Sequence, residues 1–271
     1  MPELPEVETT RAGLSEHLLG RRIKLLKVRQ RSLRWPIPEE MPQYFEGEEI
    51  SELSRRGKYL LLSTQRGTAL IHLGMSGSLR ICQKQDELKK HDHWDMLLDN
   101  DTYLRYCDPR RFGAFLWAGM EPQSHKLLSR LGPEPLENEF TASYLYKGSR
   151  GRTQAVKNFL MDSNNVVGVG NIYASESLYR AGIHPNRAAG KVSLARYQRL
   201  VTQVKEVLAE AIESGGSTLR DYVNGSGSPG YFQQKLQIYG RTGEECLSCS
   251  SAIKQLKIGQ RSSFYCPLCQ R

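Results

Sequence analysis

Apolar positions change their period twice along this chain. Over residues 4–20, Leu4, Val7, Leu14 and Leu18 share one face at helical spacing. Glu6 and Glu8 fall in the first turn and Gly20 offers a stop, so an amphipathic helix is expected. From about Arg22 to Ala118 the texture becomes strand-like, with short apolar or alternating runs at Tyr59–Leu62, Ala69–Leu73, Asp95–Leu98 and Phe112–Trp117. Gly67, Gly74, Gly77 and the Asp99-Asn100-Asp101 turn punctuate them, which predicts an antiparallel β-sandwich or barrel. Gly132-Pro133-Glu134-Pro135 reads as a hinge into a helical region. Residues 153–162 and 171–181 are helix-like. Ser193–Ser214 gives the clearest helix, with Leu194, Tyr197, Val201, Val204, Leu208 and Ala211 recurring behind a Ser193 N-cap. Residues 215–230 carry Gly215, Gly216, Gly225, Gly227 and Gly230 among Ser, Asn and Pro, and read as a mobile loop. A small Cys-bearing module follows from Leu236. The expected fold class is α+β, with domains over 1–132, 133–230 and 236–271.

Charge narrows the partner. Lys and Arg total 38 against 29 Asp and Glu, so 38 − 29 leaves +9. That excess favours a polyanion, nucleic acid before membrane, with a merely solubilising surface as the alternative. No apolar run approaches the roughly 18 residues of a membrane span. Met1-Pro2-Glu3 does not open a signal peptide, so a cytoplasmic location is expected. Cys82 and Cys107 stand alone in strand-like segments and read as ordinary buried thiols.

The other four cysteines carry chemistry. Cys246-x2-Cys249 and Cys266-x2-Cys269 have the spacing of a four-thiolate zinc site. Each pair can wrap its backbone around one metal and supply two tetrahedral ligands. Two redox pairs are the alternative, but no βαβ pattern surrounds either. Between the pairs, Ala252–Ile258 and Ser262–Tyr265 can form a hairpin whose turn holds Gly259, Gln260 and Arg261. An arginine at a rigid tip suits a phosphate backbone, and a solvated surface arginine is the alternative.

The opening Met1-Pro2-Glu3-Leu4-Pro5-Glu6-Val7-Glu8-Thr9 admits two readings. Proline and glutamates suit the first turn of a helix. With Met1 removed, Pro2 would instead present a secondary α-amine, unprotonated to a far greater extent near neutrality than lysine. Such an amine can form an iminium with an aldehyde-level carbon, and Glu3 beside it can relay a proton.

The opening Pro-Glu-Leu-Pro-Glu-Val-Glu-Thr resembles the start of bacterial formamidopyrimidine-DNA glycosylases. The resemblance continues through Gly57-Lys58-Tyr59-Leu60, His72-Leu73-Gly74-Met75-Ser76-Gly77 and Asp108-Pro109-Arg110-Arg111-Phe112-Gly113. It extends over the run from Val167 to Glu176, Pro229-Gly230-Tyr231-Phe232 and the four-cysteine module, so it covers nearly the whole chain. A sister family of endonuclease VIII type, which prefers oxidised pyrimidines, usually has glycine where this chain has Leu4. The resemblance implies an N-terminal helix with a β-sandwich, a helix–two-turn–helix domain and a C-terminal β-hairpin zinc finger with one structural Zn²⁺. It implies a monomer acting on double-stranded DNA that contains damaged purines or abasic sites, at the bacterial nucleoid.

By the same resemblance, Pro2 forms a Schiff base at the sugar C1′ and Glu3 is the acid/base for ring opening. Lys58 donates a proton in β-elimination and Arg261 is associated with δ-elimination. Asn171 and Tyr239 would join Arg261 in gripping phosphates, with His91 and Arg152 as further DNA contacts. Met75, Arg110 and Phe112 would fill the gap left by a flipped nucleotide, the cost of which is a few kcal/mol; read without the resemblance, Met75 and Phe112 would be core residues. Ser217, Thr218, Leu219, Arg220, Asp221 and Tyr222 match the segment that reads the lesion. A non-catalytic DNA-binding protein is the rival, but Pro2, Glu3 and Lys58 are all present.

Overall fold

The computed structural model describes residues 2–216 and 232–271. Ser217–Tyr222 of the expected lesion-reading segment lie outside them. Two compact units emerge, one drawn from 1–130 with 214–233 and one from 131–213 with 234–271.

The first unit opens with α1 (Leu4–Leu18). Its Leu4, Val7, Leu14 and Leu18 are all buried, as their spacing requires. Glu6 accepts the Glu3 N–H at 2.8 Å, one arm of a capping box that fixes the helix start. The helix stops two residues before Gly20. The strands are β1 (Ile23–Val28), then, after α2 (Met41–Phe45), β2 (Glu52–Arg56), β3 (Tyr59–Thr64), β4 (Gly67–His72), β5 (Ser78–Cys82), β6 (Asp92–Leu98), β7 (Tyr103–Cys107) and β8 (Ala114–Gly119). They form two antiparallel four-stranded sheets, ordered β1-β6-β7-β5 and β2-β3-β4-β8. One core joins Ile23, Leu26, Leu79 and Leu104 of the first to Leu60, Leu62, Ile71 and Phe115 of the second. Trp94 stacks between Phe115, at 4.4 Å, and Tyr106, at 5.5 Å. The architecture is therefore the sandwich, not the barrel.

Charged residues sit on this sandwich in a way periodicity does not reveal. Arg105 is buried on β7 because Asp95 of β6 receives it twice, at 2.9 and 3.0 Å. Asp95 also binds Arg29, and Arg80 pairs with buried Asp92 at 2.8 Å. Burial alone would raise the Asp95 carboxyl, but its two arginines hold it below the usual carboxylate value. Of the two single cysteines, Cys82 is buried and Cys107 only partly so.

The second unit contains α3 (Ala142–Ser149), α4 (Val156–Met161), α5 (Asn171–Arg180) and α6 (Leu194–Glu213). Gly132 is anchored rather than free, its N–H donating to the Ser163 carbonyl at 2.8 Å. Helix α4 starts later than residue 153 because Ala155 is extended and bridges Ala188. Along α6 the buried line runs through Tyr197, Leu200, Val204, Val207, Leu208 and Ala211, whereas Leu194 is 38% exposed. Tyr197, Val204, Leu208 and Ala211 of the expected face are thus buried, Leu200 and Val207 join them, and Leu194 and the half-buried Val201 lie at its edge. Strands β9 (Lys254–Ile258) and β10 (Arg261–Tyr265) form the terminal hairpin. Among the described residues, no helix is long and apolar enough to cross a membrane.

Candidate active site and nucleic-acid interface

In the first unit, Pro2 and Glu3 are buried at the head of α1. The described start of the 214–233 segment packs there too: a Cβ on Gly216 would lie 3.2 Å from Glu6 Cγ and Oε1. Two residues on from Glu6, Glu8 accepts from Arg11 and from Arg55 of β2, each at 2.9 Å through Nε. Burial would raise the Glu8 carboxyl, but these guanidiniums hold it below its ordinary value. Arg55 also donates to the Gly57 carbonyl at 3.0 Å, so a chain of charge-assisted bonds runs from α1 to the turn that bears Lys58. Gly57 and Lys58 are the two central residues of a tight hairpin between β2 and β3, and Gly57 has φ 57°, where glycine carries no Cβ penalty. Lys58 is half-exposed.

His72 lies opposite Tyr59 in the β3–β4 ladder, ring centroids 4.9 Å apart. Burial, then the nearby charges of Lys58 and Arg34, lower its pKa to about 4, so it is neutral at pH 7. Its Nδ1 accepts the Gly74 N–H at 3.0 Å, which fixes the proton on Nε2. Neutral His72 thus adds no positive charge beside Lys58.

Two loops of the same unit carry the next group. Met75 and Phe112 are 37% and 44% exposed, so neither is a core residue. The Arg110 guanidinium lies over the Phe112 ring, 4.8 Å from its centroid. The loops are in direct contact: a Cβ on Gly74, at φ 65°, would lie 2.5 Å from the Phe112 backbone. His91 is half-exposed, and its carbonyl accepts the Asp108 N–H at 3.1 Å.

In the second unit, Asn171 begins α5, where backbone N–H groups have no helical partner and favour an anion. Its Nδ2 donates to Tyr239 Oη at 3.4 Å and to the Ser262 carbonyl at 3.2 Å. Two further residues, which motif reading left without a role, build this cluster. Glu176, fully buried, accepts three backbone N–H groups from Gln237, Ile238 and Tyr239 at 2.9–3.0 Å. Burial pushes its carboxyl up against the opposing pull of those donors. Lys157, also buried, donates to the Ser262 carbonyl at 3.2 Å and Ser263 Oγ at 2.8 Å. Glu176 stood within a motif, but nothing in the spacing marked Lys157, whose burial is a tertiary fact. Arg152 is exposed, three residues beyond the end of α3.

Arg261 pairs with Ile258 as the first residue of β10, so the turn holds Gly259 and Gln260 alone. It is exposed there and still at the hairpin end. The sulfurs of Cys246, Cys249, Cys266 and Cys269 all lie within 4.8 Å of one another. Zn–S bonds of about 2.3 Å in a tetrahedron place sulfurs about 3.8 Å apart. The 3.8 Å between Cys246 and Cys269 and the 3.4 Å between Cys249 and Cys266 fit one Zn²⁺. Tyr179 Oη lies 3.2 Å from Cys246 Sγ, which joins the site to α5.

Three family models match in order: the formamidopyrimidine-DNA glycosylase N-terminal domain over 1–115, its H2TH domain over 131–223, and the zinc finger found in FPG and IleRS over 243–271. The formamidopyrimidine-DNA glycosylases of Methylococcus capsulatus and Stutzerimonas stutzeri are 54% and 55% identical, each across the whole of both chains. The fold matches a complex between Lactococcus lactis Fpg and abasic-site DNA, with TM-score 0.93, 33% identity and 99% of each chain covered. It also matches the MutM (FPG) protein of Thermus thermophilus, with TM-score 0.89, 37% identity and coverage of 99% and 98%. With matched domains in the same order and identity above half over its full length, this chain belongs to the formamidopyrimidine-DNA glycosylase family.

Proposed function

We propose that this protein is a bifunctional base-excision-repair glycosylase and AP lyase, which removes oxidised or ring-opened purines from duplex DNA and then cuts the strand by β,δ-elimination. The observation that carries the reading is the exposed set of Met75, Phe112 and Arg110 on two loops in contact. Large apolar groups held in water beside a guanidinium do nothing for a folded core. They suit the gap left by a flipped nucleotide, with Arg110 bonding the orphaned base.

In this reading the free amine of Pro2 attacks C1′ and displaces the damaged base, and Glu3 passes a proton as the sugar ring opens. The resulting iminium withdraws electrons, so loss of the C2′ proton expels the 3′-phosphate, aided by Lys58. A second elimination, associated with Arg261, expels the 5′-phosphate. Asn171, Tyr239 and Arg261 hold backbone phosphates, with His91 and Arg152 as outer contacts. Segment 217–222 reads the lesion. Zinc takes no part in these steps: the four cysteines hold the β9–β10 hairpin and so set the position of Arg261. The working arrangement is a monomer with functional divisions at 1–132, 133–230 and 236–271, acting on the nucleoid in the cytoplasm.

The test is a duplex carrying one 8-oxoguanine, incubated with protein whose Met1 has been removed. Release of the base and a one-nucleotide gap bearing phosphate at both ends are expected. Intact duplex, or preference for an oxidised pyrimidine, would overturn the assignment. Phosphate contact by Arg261 adds a second expected result. Arg261→Ala should flatten the dependence of log affinity on log salt by about one unit, as one neutralised phosphate requires. An unchanged slope would place Arg261 away from the backbone.

A further inference from the structure

The two loops that bear Met75 and the Arg110–Phe112 pair are joined beneath the surface by one residue. Asp108 is 0% exposed. Its Oδ1 accepts the Ser76 hydroxyl at 2.8 Å and, more weakly, the Arg110 N–H at 3.3 Å. Its Oδ2 accepts the Gly113 N–H at 2.9 Å and the Tyr106 hydroxyl at 3.1 Å. The Arg110 N–H is shared with Ser76 Oγ, at 3.2 Å. The Asp108 carbonyl accepts from the Arg111 N–H at 3.2 Å and lies 2.7 Å from His93 Nε2. Asp108 therefore ties together the residue after Met75, the residues on both sides of Phe112, and Tyr106 on β7.

A surface loop that had only to be exposed would not need a buried carboxylate with four donors converging on it. A buried donor left unsatisfied is costly, so the network favours one arrangement of both loops over many. Resting on the glycosylase reading above, we infer that Asp108 is a positioning residue that fuses the Met75 loop and the Arg110–Phe112 loop into one rigid insertion element. The Ser76 hydroxyl bonds across the two loops, donating to Asp108 Oδ1 and accepting from the Arg110 N–H. Wedge and opposite-base reader then enter the duplex together, and neither loop has to be ordered separately during flipping.

Ser76→Ala removes both bonds of the Ser76 hydroxyl, to Asp108 Oδ1 and from the Arg110 N–H, and leaves the other donors to Asp108 in place, whereas Asp108→Asn converts the acceptor at the centre. Both are measured by single-turnover excision of 8-oxoguanine from duplex, and by cleavage of a single strand with a preformed abasic site, where there is no gap to fill. Excision from duplex should fall on the order of tenfold or more, because small misplacements of positioned groups are costly. Cleavage of the abasic single strand should stay at the wild-type rate. The losses from Met75→Ala and Phe112→Ala should be non-additive in the wild-type background and additive with Ser76→Ala. If Asp108→Asn fails to fold, Ser76→Ala still decides the matter. Wild-type excision by Ser76→Ala, unchanged coupling, or equal loss on both substrates would overturn the inference. Inactivity of the wild-type protein on 8-oxoguanine would instead overturn the glycosylase reading beneath it.

Discussion

Protein that retains Met1 should neither excise 8-oxoguanine nor form a borohydride-stable adduct with DNA, whereas processed protein should do both. If the Pro2 amine attacks C1′, the intermediate is an iminium, and hydride reduction fixes it as an amine linking protein and DNA. Acylation by Met1 turns that nitrogen into an amide with no free electron pair for attack. An α-amine with pKa near 7.7–8.0 is unprotonated in about a tenth of molecules at pH 7, whereas lysine, near 10.4, is so in fewer than about one in a thousand. Lys58, half-exposed on its hairpin turn, is the competing amine. Lys58→Ala should therefore keep some trapping on an abasic strand while losing lesion excision, and peptide mapping should place the adduct on Pro2. An adduct on Lys58, or full activity with Met1 retained, would leave Pro2 as no more than the start of α1.

The second large effect concerns the metal. Cys249→Ser should reduce bound zinc from one ion per chain to none and abolish DNA binding, with the β-sandwich still folded. Four thiolates around Zn²⁺ contribute folding energy directly, about 10–16 kcal/mol of binding free energy in isolated zinc-finger peptides. Around the site only a small core of Tyr179, Ile238, Ile253 and Phe264 packs with Cys246 and Cys266. Without metal, the hairpin that presents Arg261 loses its base. The sandwich has its own core, and the chain's three tryptophans, Trp35, Trp94 and Trp117, all lie in the first unit. Their fluorescence should hold steady in Cys249→Ser while zinc and DNA affinity are lost. Active wild-type protein with no zinc on metal analysis would sink the prediction.

Much of this was legible from residue order. Helix α1 and strands β3, β4, β6 and β8 carry apolar runs on which hydrophobic burial acts directly, although Phe112 and Gly113 of the last run lie in the loop before β8. Strands β5 and β7 are less visible because half-buried Arg80 and buried Arg105 interrupt them, and both are held by Asp92 and Asp95 across the sheet. Read without the family resemblance, Met75 and Phe112 pass for core residues, and their exposure excludes that reading. Lys157 could not be found at all, since its partners lie about a hundred residues away in β10.

By itself the sequence determined the zinc site, the apolar faces of the helices and the identity of the groups placed at the head of α1. In each case the interacting residues are close along the chain, and local geometry brings them together without help from the rest of the fold. Tertiary structure decided how distant groups meet: Asp108 under two loops, Glu176 under the Gln237–Tyr239 turn, and Arg55 between Glu8 and the Lys58 turn. Those contacts join buried polar groups to partners far away in sequence. Such groups are stable only once the surrounding core has excluded water and each donor has found its acceptor, a condition no local pattern encodes.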